Sequence, residues 1–272
     1  VTEWLPIIAA LIATGALAGL LAGLLGVGGG IVIVPVLYFI FQLIGISAAT
    51  AMTVATGTSL LIIIPTSVSS IRAHHKRGNI DSQLVRLWWP FIVLGVVVGV
   101  VFATEAGGQV AAIIFGIVAI LVAANMMFRA NAQPLFTSLP GKLWQSMIAA
   151  VIGLVSVVMG IGGGTLGVPT LSACNFPAHR AVGTAAVFGF IIALPGAALL
   201  LVYGSTPPDA PLGTIGVVNL LGFAVIVPLT VLMAPVGVKL GAMLNDVLLK
   251  RTFAVFLCLS GARMVYQAVL AS

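Results

Sequence analysis

The chain has 272 residues, 61% of them hydrophobic and 6% charged, with a mean hydropathy of +1.28. Soluble domains carry about 25% charged residues, so this is a polytopic membrane protein with nothing left over for a soluble domain. The formal charge of +6 is not a nucleic-acid signal, because the basic residues follow the loops between apolar stretches, and no Cys or His pattern has metal-ligand spacing.

Apolar stretches fall at residues 5–25, 31–46, 51–71, 87–103, 109–128, 145–159, 165–174, 181–203, 213–236 and 252–270. A helix needs about 20 residues to cross ~30 Å of hydrocarbon, and most stretches reach that. The first lacks a basic start and leads straight into glycines, unlike a signal peptide. Those glycines read G-x-G-G-G-x4-P, from Gly26 through Gly28, Gly29 and Gly30 to Pro35. The pattern returns from Gly160 through Gly162, Gly163 and Gly164 to Pro169.

Each glycine weakens a helix by about 1 kcal/mol, and each unpaired backbone group in hydrocarbon costs several kcal/mol more. Such a break is kept only where protein packs it or a wet cavity adjoins it. The stretch 165–174 rises only ~15 Å as helix, so each motif is expected at the turn of a hairpin with a half-length arm. Proline is welcome in the first turn of a helix. Pro35 and Pro169 therefore predict helix starts close to them, with Gly28–Val34 and Gly162–Val168 extended or irregular. Free amides there, with the positive end of the following half-helix, would make an anion site. The alternative is that the glycines only permit close helix packing.

The stretch 51–71 carries Ala55-Thr56-Gly57-Thr58-Ser59, which resembles Ala181-Val182-Gly183-Thr184-Ala185 in 181–203. Thr56, Thr58, Ser59 and Thr184 are candidate hydroxyl donors to a bound anion, unless they bond their own i−4 carbonyls. Thr165 follows the second glycine cluster where the first half has Ile31, an asymmetry expected if one half dominates contact.

The basic loops at 72–86, 129–142, 179–180 and 239–251 are assigned to the cytoplasm by the positive-inside rule. Arg263 alone departs from it. The stretch 51–71 then runs inward and its counterpart 181–203 outward. Residues 1–128 and 143–272 are thus expected to be two inverted-topology repeats joined by a cytoplasmic linker at 129–142. Each is a glycine-broken hairpin plus three spanning helices, and both termini face outside. Inverted repeats with broken helices meeting at the midplane are a transporter signature.

Other residues are read more plainly. Trp4, Trp88, Trp89 and Trp144 lie at stretch ends, as interfacial anchors do. His74 and His75 read as solvated. Asn175, His179 and Arg180 either line an electropositive entrance or simply sit at the interface. Cys174 and Met159 are packing residues, and a bond between Cys174 and Cys258 has no support. Arg263 lies ~18 Å into the last helix, where an arginine either serves function or snorkels outward, with Asn125 as its repeat partner. Glu3, Asp81, Glu105, Asp209 and Asp246 all lie in loops or at ends, so carboxylate-based proton coupling is not expected.

The duplicated glycine motif, the Ala-x-Gly-Thr after each copy and the two-half layout resemble the sulfite exporter TauE/SafE family, also called the toluene-sulfonate uptake permeases. The resemblance covers nearly the whole chain. It implies a carrier of sulfur-containing anions such as sulfite, sulfoacetate or other organosulfonates, with related members moving other small organic anions. The expectation is a secondary transporter in the cytoplasmic membrane, working by alternating access at a midplane site. A negative cell interior favours anion export, at ~2.3 kcal/mol per charge per 100 mV. The expected substrate-binding residues are Gly28, Gly29, Gly30, Thr58, Ser59, Gly162, Gly163, Gly164, Thr165, Thr184 and Arg263; Gly26, Pro35, Gly160 and Pro169 shape the breaks. No cofactor, metal or catalytic residue is expected. The partners are a small anion and the lipid bilayer, with homo-oligomerisation left open. A channel of the same architecture is the rival. An intramembrane enzyme is disfavoured, lacking a G-x-S-x-G or a spanning acid pair.

Overall fold

The structure is a computed structural model that describes residues 4–26, 28–128, 134–241 and 246–270. Val27, Glu3, Arg129 and the first residues of the linker lie outside the described residues, as do the side chains of Trp4, Asp246 and Lys250. The chain is all-α: α1 (Trp4–Leu25), α2 (Gly30–Leu43), α3 (Ala48–His75), α4 (Ser82–Phe128), α5 (Lys142–Met159), α6 (Gly164–Ala173), α7 (Ala178–Tyr203), α8 (Leu220–Leu240) and α9 (Asp246–Leu270). A two-residue antiparallel ribbon, Thr214–Ile215 with Val218–Asn219, precedes α8.

Among the described residues, seven helices are long and apolar enough to cross a membrane. With 14 and 10 residues, α2 and α6 are not. The 47 residues of α4 would extend ~70 Å as one straight rod, over twice the hydrocarbon thickness. Gly107 divides it, with φ 79° and ψ 171°, into two spanning lengths. The loop expected around Glu105 is thereby reduced to a break at one glycine, the residue that takes positive φ without penalty.

The two halves of the chain pack on each other through matching pairs of helices. Helix α1 lies along α8 as α5 lies along α4, α3 crosses α7, and α4 packs on α9. Small residues set these approaches, as they do where lipid supplies no hydrophobic drive between helices. A Cβ at Gly15 of α1 would come 2.9 Å from the Ile226 carbonyl of α8, and Gly23 has no room for one against Ala234. Gly95 meets Ala150 and Gly153 meets Ile92 in the same way. Gly116 of α4 and Gly261 of α9 each abut the other's carbonyl oxygen, at 2.6 and 2.8 Å from a would-be Cβ.

The Gly-Thr pairs have a common local job. The segment entering α8 crosses Gly57, where a Cβ would strike the Val217 carbonyl; the segment entering α4 crosses Gly183 against the Asn79 carbonyl. Thr58 Oγ1 then accepts the Asn219 amide at 2.8 Å, and Thr184 Oγ1 the Asp81 amide at 2.9 Å. Each of those residues caps the next helix: Asn219 Oδ1 accepts from Gly222 N–H and Asp81 Oδ1 from Leu84 N–H. Such a cap contributes about 1 kcal/mol.

Two expectations are corrected. Trp88 is no interfacial anchor: it is fully buried, stacked on Phe188 with centroids 5.3 Å apart, and its Nε1–H donates to Gln145 Oε1. Trp89 and Trp144 are exposed. His74 is not solvated either. Helix α3 runs on to residue 75 and carries His74 into the bundle, with Nε2 3.2 Å from the Gly23 carbonyl; His75 is exposed. Cys174 and Cys258 are both free.

Candidate functional site

Helix α2 begins at Gly30 and α6 at Gly164, directly on the third glycine of each triplet. The extended runs expected up to Val34 and Val168 are therefore absent; irregular backbone is confined to the glycines. The physical reason is that chain in hydrocarbon gains by pairing its backbone as early as possible. Pro35 and Pro169 are consequently the sixth residue of their helices rather than lying in the first turn. Having no N–H, they leave the carbonyls of Ile31 and Thr165 without an i+4 donor.

Glycine is required at several turns. Gly26, Gly28 and Gly29 have φ of 66°, 71° and 79°, and Gly160 caps α5 at φ 70°. Gly29 O accepts from Val32 and Ile33 at 3.0 and 3.1 Å, and Gly163 O accepts from Gly167 at 2.7 Å. The first-turn amides of Gly30, Ile31 and Gly164 have no intrahelical carbonyl to meet, as at any helix start.

The two tips touch. A Cβ at Gly28 would lie 3.4 Å from Gly162 Cα, and one at Gly30 would lie 2.7 Å from Gly160 O. Helix α3 runs beside both. Its Ile63 side chain faces Gly28 and Gly30, and Ser59 Oγ donates to Gly160 O at 2.7 Å. Helix α7 closes the other side: Phe188 Cβ is 2.5 Å from a would-be Cβ at Gly163. At Gly189, a Cβ would lie 3.1 Å from Ser67 Oγ, 3.7 Å from the Gly163 nitrogen and 3.9 Å from Gly162 Cα. Both tips are buried, and each of these neighbours is uncharged.

Four buried hydroxyls near the tips have no hydrogen-bond partner among the described residues: Thr56, Ser67, Ser156 and Thr165. Thr165 adjoins Gly164, Ser156 lies one turn before Gly160, and Thr56 Cα would be 2.7 Å from a Cβ at Gly160. A buried unpaired polar group costs about 1–3 kcal/mol, so native structures rarely keep several together without a partner to fill them. Donors aimed at one another's neighbourhood beside a helix N-terminus suit a small anion.

The expected site residues therefore separate. Gly28, Gly29, Gly30, Gly162, Gly163, Gly164, Thr165 and Ser59 are gathered at the tips. Thr58 and Thr184 hydroxyls are taken by the crossing segments, and Thr58 also donates to Val54 O. Arg263 is exposed and lies over the Phe39 ring at 4.6 Å, nine residues or ~13 Å along α2 from Gly30. Asn125, the residue paired with it in the repeat reading, is half-buried near the end of α4. Arg180 is paired with Asp81 at 2.6 Å and sits over Phe176.

Ser67 and Ser156 were not singled out from the sequence. A signal for Ser67 exists in the spacing: Ser59, Ile63 and Ser67 fall at i, i+4 and i+8, one stripe of α3.

The model of the family described as "Sulfite exporter TauE/SafE" matches residues 11–264. A probable membrane transporter protein of Haemophilus influenzae is 32% identical over 250 residues, covering 92% of this chain and 95% of its own. The probable membrane transporter protein YunE of Bacillus subtilis is 29% identical over 282 residues, covering 95% and 97%. A probable membrane transporter protein of Methanocaldococcus jannaschii is 30% identical over 255 residues, covering 90% and 88%. No solved structure matches the chain significantly.

Proposed function

Since the chain belongs to the sulfite exporter TauE/SafE family, we propose that it is a secondary carrier of a small sulfur-containing anion, sulfite, sulfoacetate or another organosulfonate, across the cytoplasmic membrane. The anion sits where the two glycine tips meet. Its oxygens accept from the amides at the starts of α2 and α6 and from the Ser67 and Thr165 hydroxyls. The observation that carries this reading is the group of buried, unpartnered hydroxyls around two touching helix starts.

The two halves, related by their shared contacts, are read as inverted repeats, with both termini outside. Rocking one half against the other exposes the tips alternately. The burial of both tips supports a carrier over a channel, because it describes an occluded stage. Uncharged donors bind an anion without a fixed counter-charge to hold it, so release is fast. With no carboxylate among them, the anion moves down its own electrochemical gradient, which in a negative cell is outward. Carriage of a non-sulfur organic anion is the alternative within this mechanism.

Purified protein in proteoliposomes tests the reading. Sulfite or sulfoacetate flux, measured at substrate below KM, should be present in the wild type and at least ~10-fold lower in the Ser67→Ala, Thr165→Val double variant, which adds no atoms to the core. Ligand should raise the melting temperature with concentration, by RT ln(1 + [L]/Kd) in free energy. Unchanged flux in the double variant refutes the site; flux of carboxylates but not of sulfur anions selects the alternative.

A further inference from the structure

Away from the tips, a cavity of about 750 Å³ opens between α3 and α8. Arg72, Lys76, Arg77 and Lys239 line it, and no acidic side chain does among the described residues. Its remaining walls are mostly apolar, with Val68, Val231 and Pro235 among them. On α3 the lining runs from Pro65 to Lys76, ~16 Å of helix. It thus reaches from the basic end of α3 towards the middle of the span, and stops at Pro65.

The inner end is closed by two side-chain bonds between the walls. Thr66 Oγ1–H donates to Thr230 Oγ1 at 2.7 Å, and Ser69 Oγ–H donates to the Val231 carbonyl at 2.8 Å. Both threonines are fully buried. Arg77 is itself fastened, its Nη1 donating to the Val238 carbonyl at 2.5 Å. Arg72, Lys76 and Lys239 are exposed, and no hydrogen bond from their side chains to protein competes for an incoming anion among the described residues.

We propose that this groove is the antechamber through which the anion reaches the glycine tips from the cytoplasmic end, and that the Thr66–Thr230 pair is its inner closure. The inference rests on the anion-carrier reading and adds the route. A positive-inside bias alone would place cations at this end, but would not line a deep cleft with them. A cleft lined by one sign of charge with low-dielectric walls focuses the field and raises the local concentration of counter-charged solute and its on-rate by ~10–10³-fold. The volume is far larger than one small oxyanion needs, so the groove gathers hydrated anions and does not bind one tightly. Separating α8 from α3 breaks the threonine bond and lets the groove deepen along α3 past Thr66.

Cysteine labelling tests this without needing transport. In the protein with Cys174→Ser and Cys258→Ser, Val68→Cys places a thiol in the groove and Ile62→Cys one turn past the Thr66 closure along α3, where Ile62 is fully buried. The probes are two methanethiosulfonate reagents, one bearing a sulfonate and one a trimethylammonium, each rate being divided by that reagent's rate with a small free thiol. At low salt the sulfonate reagent should then label Val68→Cys at least ~10-fold faster than the cationic one. The normalised ratio should approach one at 1 M salt, where the screening length is ~3 Å. Adding Arg72→Gln, Lys76→Gln and Lys239→Gln should remove the preference. Ile62→Cys should label slowly, and faster once Thr66→Ala is added. A normalised ratio of one at low salt, or a preference that survives the three glutamines, overturns the antechamber; Ile62→Cys labelled as fast with Thr66 as without it overturns the closure. In proteoliposomes, the glutamine variant should raise KM for sulfite from the groove side with kcat little changed. A wild type that moves neither sulfite, nor sulfoacetate, nor small carboxylates refutes the carrier reading while leaving the labelling result standing.

Discussion

The two glycine tips carry one motif and are built from different neighbours. Where the first half places Ile31 after its triplet, the second places Thr165; where the first is backed by Ile63 of α3, the second is backed by Gly189 of α7. Both isoleucines are buried to 1% exposure or less. The first tip also has positive φ at Gly26, Gly28 and Gly29, whereas the second has it only at Gly160. The first tip is thus a tightly coiled apolar stopper. The second is a more relaxed turn beside Gly189, whose missing side chain leaves Ser67 and the Gly163 amide as its neighbours. One motif opens both helices, and the side chains around it make one a packing surface and the other the donor-lined side of the proposed site.

Exchanging Gly189 for its counterpart should give the largest effect. Gly189→Ile overfills this contact and should abolish anion flux in proteoliposomes, at a cost of about 1–3 kcal/mol in unfolding. The reverse truncation, Ile63→Ala, should cost about 2–5 kcal/mol of stability and leave flux measurable. If Gly189→Ile transports normally, the two tips are functionally alike. Next come the hydroxyls. Ser67→Ala and Thr165→Val should each raise KM by roughly 10- to 100-fold, the loss of one hydrogen bond to a charged ligand at about 1.5–3 kcal/mol. Ile31→Thr, the mirror change, should lower stability by about 1–3 kcal/mol without improving KM. Equal KM shifts from both halves would erase the distinction.

Where the halves are alike, mutations should act alike. Thr58→Val and Thr184→Val each remove an acceptor for a helix-cap amide, and both should lose about 1 kcal/mol in thermal unfolding with KM unaltered. A KM change in either would return it to the site. The smallest effect comes from a strap that one half has alone. Asp209 accepts from the Thr50 hydroxyl at 2.6 Å and from the Ser47 amide at 3.1 Å, at the start of α3. The Thr50 hydroxyl, then the Ser47 side chain, hold its carboxyl down to about 2 from 3.8. A folded-state pKa below the unfolded one gives stability that is present above ~4 and is lost as pH falls through about 2. Melting measured from pH 5 to 2 should therefore fall slightly more steeply in wild type than in Asp209→Asn.

Much of this was legible without coordinates, for identifiable reasons. Span lengths follow from composition, and the glycine triplets stand out because glycine is costly inside a membrane helix. The Gly-Thr pairs were visible as a repeat, but their work was not: a threonine that holds a distant amide looks the same in sequence as one that faces a ligand. Ser67 and Ser156 were hidden because single serines on apolar helices are ordinary, and only the approach of α7 and α6 gives them meaning. Trp88 and His74 were misplaced because a residue near a stretch end looks interfacial until a neighbouring helix covers it. The prolines misled through a rule about first turns, when the cost of unpaired backbone in lipid drew the helix back to the last glycine.

Trp88 has an optical consequence. Its indole is stacked on Phe188, whose Cβ borders the Gly163 turn, so it is two side chains from the place where the anion is proposed to sit. Trp89 and Trp144 face outward and provide a steady background. The molecule therefore contains its own reporter dye, and ultraviolet emission from unlabelled protein, lost in Trp88→Phe, is a direct way to watch the centre of the bundle fill and empty.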